Sequence, residues 1–210
     1  MDWILSGVIL TTLFILGSFR ISACIRAAAV QGTLLSFLPI LIRGSLTDFH
    51  SLGMFLGTLF VKAILIPFLL FRSIRETTLS EETESTASRH LSLLTGGIVT
   101  VIAFSWKFYP SPDFSTPLVV PTALAMVLLG FLLLVSRKKA VHQVIGFLVL
   151  ENGVFIFGMT LAADFPTTVE IGILLDLLVG IFVMGIMIYH IHRTFDHIDT
   201  TKLASLKDTE

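Results

Sequence analysis

Charge is what this chain has least of. Only 14% of its 210 residues are Asp, Glu, Lys or Arg, where a soluble domain carries about 25%, so an ordinary solvated surface is excluded. There is a single cysteine, Cys24, and an iron–sulfur cluster needs about four thiolates. Any redox centre associated with this chain therefore belongs to a partner. The histidines, His50, His90, His142, His190, His192 and His197, all fall at helix ends or in loops. None makes a pair at matching membrane depth for a b-type haem, whose axial ligands project from facing helices. "HIHRTFDHID", His190 to Asp199, is dense in His and Asp but reads better as a solvated helix exit than as a metal site. No P-loop, Gly-rich dinucleotide turn or nucleophile elbow occurs. A basic start is missing too: "MDWIL" is acidic and the first arginine, Arg20, follows the first apolar run. That run reads as an uncleaved helix, not a secretory signal.

What the chain has is hydrophobic length. Of its residues 54% are hydrophobic, and apolar runs that fit a bilayer-crossing helix of about 17–25 residues recur at 3–19, 27–43, 50–72, 91–109, 118–136, 141–163 and 167–190. The expected fold is all-α, a polytopic membrane protein of about seven transmembrane helices. Residues 1–75 hold helices 1–3. A polar linker, "RETTLSEETESTASRH", follows and is cytoplasmic in this reading. Helix 4 and a proline-rich outer turn occupy 91–117, helices 5–7 occupy 118–190, and 191–210 form a cytoplasmic tail. Of the 14 Lys and Arg residues, eleven fall on the side of the C-terminus, only Arg43 and Lys107 on the other, and Lys62 inside a helix. The positive-inside rule then puts the C-terminus in the cytoplasm and the N-terminus outside. An offset of 114 matches Gly32 to Gly146 and Lys62 to Asp176, which suggests that helices 1–3 and 5–7 are parallel repeats of a kind found in transporters. Against that, Glu151 falls on Phe37.

Three ionisable side chains lie near the middles of their helices: Lys62 in helix 3, Glu151 in helix 6 and Asp176 in helix 7. Each costs about 2.5–3.5 kcal/mol at the bilayer centre on insertion scales, and such groups usually face the bundle interior, pair, and mark ion paths. The plainer alternative is polar glue between helices. Gly172, Asp176 and Gly180 form one helical stripe, so Asp176 should face protein. Gly146 and Gly153 give helix 6 a similar face, with Glu151 and Asn152 close to it. Asn152 can donate to a carboxylate. Pro67, five residues after Lys62, cannot donate to the carbonyl of Ala63 and reads as a membrane-helix kink. Two accessory candidates sit at helix ends. Glu170 is about 9 Å of rise from Asp176, an outer port or, more simply, a helix-start acid. His142, at the cytoplasmic start of helix 6, is a site of proton uptake or an interfacial cap.

"HQVIGFLVLENGVFIFG", and above all its "IGFLVLENG", resembles the E component of hydrogenase 4 and its relatives in formate hydrogenlyase complexes. More distantly, residues 118–207 are similar to the small K subunit of respiratory complex I and to the C subunit of multisubunit cation/proton antiporters. The resemblance implies a non-catalytic membrane-arm subunit of a proton- or sodium-translocating hydrogenase complex, with antiporter-like subunits among its partners. Nickel–iron and iron–sulfur centres would belong to those partners and none to this chain. It also implies that Glu151 carries the central glutamate of a buried polar axis and Asp176 the last-helix acid. Two features depart from the complex I pattern. Gly146 and Glu151 are about one turn further apart, and the last acid is Asp, with Glu170 as its rival. Two other classes fit the bare residues, a structural adapter that conducts nothing and a self-standing small-molecule transporter.

Overall fold

A computed structural model describes residues 1–43, 49–76, 86–105, 117–137 and 139–161. Every regular element among these described residues is helical: α1 (Asp2–Gly17), α2 (Ile21–Ser36), α3 (Leu38–Arg43), α4 (Phe49–Thr58), a π-helical segment (Leu59–Leu65), α5 (Ile66–Glu76), α6 (Thr86–Ser105), α7 (Val119–Ser136) and α8 (Ala140–Leu161). Four helical stretches are long and apolar enough to cross a membrane, Ile21–Leu41, Phe55–Arg72, Val119–Ser136 and Val141–Gly158, and Asp2–Gly17 and His90–Ser105 are shorter apolar helices. The chain is an all-α membrane protein. The seventh apolar run, with Glu170 and Asp176, lies outside the described residues, as do the tail and most of the polar linker.

Boundaries shift where local chemistry outweighs apolar run length. Between α1 and α2 only Ser18–Arg20 intervene, because α2 begins at Ile21, six residues before the apolar run. Cys24, which precedes the apolar run and would be read from it as a loop residue, therefore lies within a helix. It is buried in the first turn of α2, its thiol 3.4 Å from the carbonyl oxygen of Ser18. The run 27–43 divides at Phe37, since Pro39 has no N–H to offer the carbonyl of Leu35. Residues 86–90, read as linker, form the first turn of α6. Helix 3 is continuous through α4, the π segment and α5.

With lipid on one side and protein on the other, both faces of these helices are apolar, and small residues decide which face packs. Helices α7 and α8 form the most extensive contact, and glycine sets its closeness. A Cβ on Gly130 would stand 2.5 Å from the amide nitrogen of Leu150, and one on Gly153 would stand 2.9 Å from the carbonyl oxygen of Ala123. Helix α2 sits between α1, helix 3 and α8. The core between them holds Leu16, Ile25, Leu35, Leu129 and Ile145. Leu56, Phe60, Ile64 and Phe68 recur every fourth residue on the outward face of helix 3, where a bilayer would meet them. Gly32 and Gly146, matched by the repeat offset, meet different partners: helix 3 for Gly32 and α7 for Gly146.

Candidate functional site

Helix 3 departs from α-geometry at its ionisable residue. The segment Leu59–Leu65 follows the i→i+5 pattern, and its last bond runs from the Ile66 N–H to the Val61 carbonyl. The next bond in that register would need an N–H from Pro67, which has none, so the π register ends there. Single-turn π insertions of this kind recur at functional sites. Lys62 is at the centre. Its main chain is pressed against α2, where a Cβ on Gly32 would lie 2.8 Å from the carbonyl carbon and oxygen of Lys62. Only glycine permits that approach, and it brings the Lys62 ammonium inside the bundle.

There the ammonium meets α8. Nζ of Lys62 donates to Oε1 of Glu151 at 2.9 Å and to Oδ1 of Asn152 at 2.8 Å, and stands 4.6 Å from the centre of the Phe155 ring. The chain of bonds continues. Asn152 Nδ2 donates to Gln31 Oε1 at 3.0 Å, and Gln31 Nε2 donates to Thr12 Oγ1 at 2.7 Å and to the Val8 carbonyl at 3.3 Å. Thr12 in turn donates to the Val8 carbonyl. Thr12, Gln31, Lys62, Glu151 and Asn152 are all at least 95% buried. A buried ion pair holds only when hydrogen bonds satisfy its remaining groups, and this network, drawn from α1, α2, helix 3 and α8, supplies them on the Lys62 and Asn152 side of the pair.

The network lies at mid-membrane depth. At about 1.5 Å per residue, Lys62 is about 15 Å from Arg72, Gln31 about 16 Å from Arg20 and Glu151 about 18 Å from Lys139. The hydrocarbon core is about 30 Å thick.

Of the residues singled out in the sequence, Lys62, Glu151 and Asn152 come together; Asp176 and Glu170 lie outside the described residues. The glycine face of α8 is not where Glu151 sits. At about 100° per residue, Glu151 is roughly 160° round the helix from Gly153, so the glycines pack on α7 while the carboxylate faces α2 and helix 3. His142 lies apart from the network. It is 4% exposed in the first turn of α8, with a hydrogen bond to the backbone of Phe19. Nine residues separate His142 from Glu151, which places them about half a turn apart. His142 thus faces the α1–α2 junction and not the network.

Two parts of the arrangement were missed. Gln31 and Thr12 are uncharged, so a reading of the spans for ionisable groups passes over them; Gln31 is nonetheless the one large polar side chain in its run before the terminal Arg43, which is signal enough to find it. Arg137, in sequence one of the eleven basic residues on the side of the C-terminus, is the other. It is 3% exposed, stacked 3.9 Å from the centre of the Phe19 ring, and donates to the Leu16 carbonyl at the end of α1. A cation there satisfies an orphan carbonyl and the negative end of the helix dipole. Among the described residues no group of three or more His, Cys, Asp or Glu side chains is gathered as a metal site.

No family model and no solved structure matches the chain. It is 30% identical over 210 residues to the uncharacterized protein Rv0085 of Mycobacterium tuberculosis, covering 99% of this chain and 96% of that one. It is also 36% identical over 85 residues to hydrogenase-4 component E of Escherichia coli strain K12, and to the same component of Shigella flexneri. Those matches cover 40% of this chain and 39% of each relative, so the chain matches well under half of their length. By its match across nearly all of both sequences, the chain belongs to the family of Rv0085, and it shares part of its length with hydrogenase-4 component E.

Proposed function

We propose that this protein is a non-catalytic membrane-arm subunit of an energy-converting nickel–iron hydrogenase complex of the hydrogenase-4 or formate hydrogenlyase type, and that it takes part in moving protons or sodium ions. The partial identity to hydrogenase-4 component E supports the complex. The observation that carries the ionic role is the Lys62–Glu151 pair, formed at mid-depth between separate helices and joined through Asn152 to Gln31 and Thr12. Residues that only fasten helices rarely need opposite full charges where both are costly to bury. In this reading Glu151 and Asp176 gain and lose the ion, Lys62 sets the charge balance of Glu151, and Asn152 orients both. The metal centres reside in peripheral partners, and antiporter-like membrane subunits flank the chain. In the same reading the protein lies in the cytoplasmic membrane with its N-terminus outside and its C-terminus inside, an orientation that the distribution of basic residues supports.

The test compares Glu151→Gln with Glu151→Ala in the intact complex. Gln keeps the shape and an acceptor for Lys62 but not the charge. Native gels report assembly, and hydrogenase-linked ion uptake into inverted vesicles reports translocation. Assembly retained with uptake abolished in Glu151→Gln is the expected result. Full uptake by Glu151→Gln would leave only the adapter role. Stable, active purification free of hydrogenase subunits would instead identify a self-standing transporter.

A further inference from the structure

One oxygen of the central pair is left without a partner. Oε1 of Glu151 accepts from Lys62, but Oε2, wholly enclosed, has no hydrogen-bond partner among the described residues. A buried carboxylate oxygen left without a donor is costly and calls for a partner. Glu151 borders a crevice between α2, helix 3 and α8 whose other walls include Ala28, Pro67, Leu70 and Leu148. The space open to the centre of a water molecule is about 10 Å³, close to the least that holds one water.

The crevice extends to one side only. Leu148 precedes Glu151 by three residues on α8, Ala28 precedes Gln31 by three on α2, and Pro67 and Leu70 follow Lys62 by five and eight on helix 3. On each of the three helices that direction leads to basic residues: Lys139 for α8, Arg20 and Arg26 for α2, Arg72 for helix 3. Leu70 is two residues, about 3 Å of rise, from the exposed Arg72.

We propose that this crevice binds a single water molecule that donates to Oε2 of Glu151, and that through it Glu151 exchanges its proton with the basic end of the protein. Asn152 Oδ1, which keeps a second lone pair after accepting from Lys62, is the water's other acceptor. Protonation of the bound water from the basic end gives H₃O⁺, which transfers H⁺ to Oε2 and is left as the same bound water; the reverse step returns the proton. The inference rests on the reading of Glu151 as a group that gains and loses an ion, but its test does not depend on turnover.

Hydroxyl radicals generated by brief X-ray irradiation of the native complex in membranes oxidise side chains beside bound water. Pro67, Leu70 and Leu148 should be oxidised several-fold more than Leu129 and Leu133, which are as deeply buried but line no part of the crevice. Ala28→Leu, which projects into the space, should bring them down to the level of Leu129; Leu148→Phe is the second filling variant, read at Leu70 and Pro67, should Ala28→Leu not assemble. Equal oxidation of crevice and reference leucines in the wild type, or unchanged oxidation in an assembled filling variant, overturns the water site. Either result combined with loss of ion uptake in Glu151→Gln removes the access route and leaves the proposed function standing. A wet crevice combined with full uptake in Glu151→Gln does the reverse.

Discussion

Removing one member of the central pair should be far worse than removing both. Lys62 and Glu151 are 4% and 3% exposed, so neither can recover its charge solvation by a small movement. Lys62→Met keeps most of the side-chain volume but leaves the Glu151 carboxylate uncompensated in low dielectric. Breaking a buried pair this way costs about 3–5 kcal/mol, roughly two to three and a half decades in the folding equilibrium at about 1.4 kcal/mol per decade. The double variant Lys62→Met, Glu151→Met has no stranded charge, and hydrophobic replacement of a buried pair is commonly neutral or stabilising by about 1–4 kcal/mol. One debt remains, because Asn152 Oδ1 loses its donor, which costs about 1–3 kcal/mol. The double variant should therefore recover most of the loss and sit near the wild type. Thermal melting of the detergent-solubilised protein, followed by size exclusion and compared across the wild type, both single variants and the double variant, gives the coupling directly. Additive losses, with the double variant less stable than either single one, would show that the two charges do not depend on each other and would refute the pairing.

The remaining expectations concern the supports of the network. Gly32→Ala places a methyl group 2.8 Å from the main chain of Lys62, so stability should fall by about 1–3 kcal/mol as an overpacked contact, read as a lower melting temperature; Gly53→Ala, where a Cβ meets nothing within 4 Å, should be neutral or gain about 0.5–1 kcal/mol from helix propensity. Gln31→Leu strands the Asn152 amide donor and should cost about 1–3 kcal/mol, and adding Asn152→Leu should deepen the loss, because Lys62 then gives up one of its acceptors. Arg137→Lys keeps the charge but not the planar stack on Phe19, and should lower the melting temperature measurably if that geometry, and not charge alone, secures the end of α1.

Fold class was legible because hydrophobic length is a direct readout of bilayer thickness, and the run at 118–136 coincides with α7 almost residue for residue. Boundaries were less legible where polarity and helicity part company. Cys24 and Arg26 sit outside the apolar run yet inside α2, since a helix can continue into the interfacial zone once its side chains reach water or a neighbouring carbonyl. At the site, the ionisable pair was found because charge in lipid has few other uses. The partner assignment was not available from spacing, because it depends on a π segment at 59–65 that turns Lys62 inward and on a glycine in another helix that makes room for it. Periodicity of 3.6 cannot announce an i→i+5 turn; only Pro67 hinted at one.

The pairing also bears on how the two halves of the chain depend on each other. The carboxylate belongs to α8 and its countercharge to helix 3, 89 residues earlier, so the α7–α8 hairpin carries a full charge it cannot neutralise among its own described residues. Expressed alone, residues 117–210 should insert or persist poorly, since an unpaired acid at mid-membrane costs about 2.5–3.5 kcal/mol on insertion scales. Co-expression with residues 1–105 should raise the steady-state level of that fragment. Replacing Glu151 by Leu in the fragment should raise it without help, whereas Lys62→Met in the N-terminal piece should abolish most of the rescue. Immunoblotting of membranes from the four combinations measures this. If the native fragment accumulates equally with and without its partner, then Lys62 is not what makes Glu151 tolerable in the bilayer. The source of that tolerance would then lie beyond the network described above.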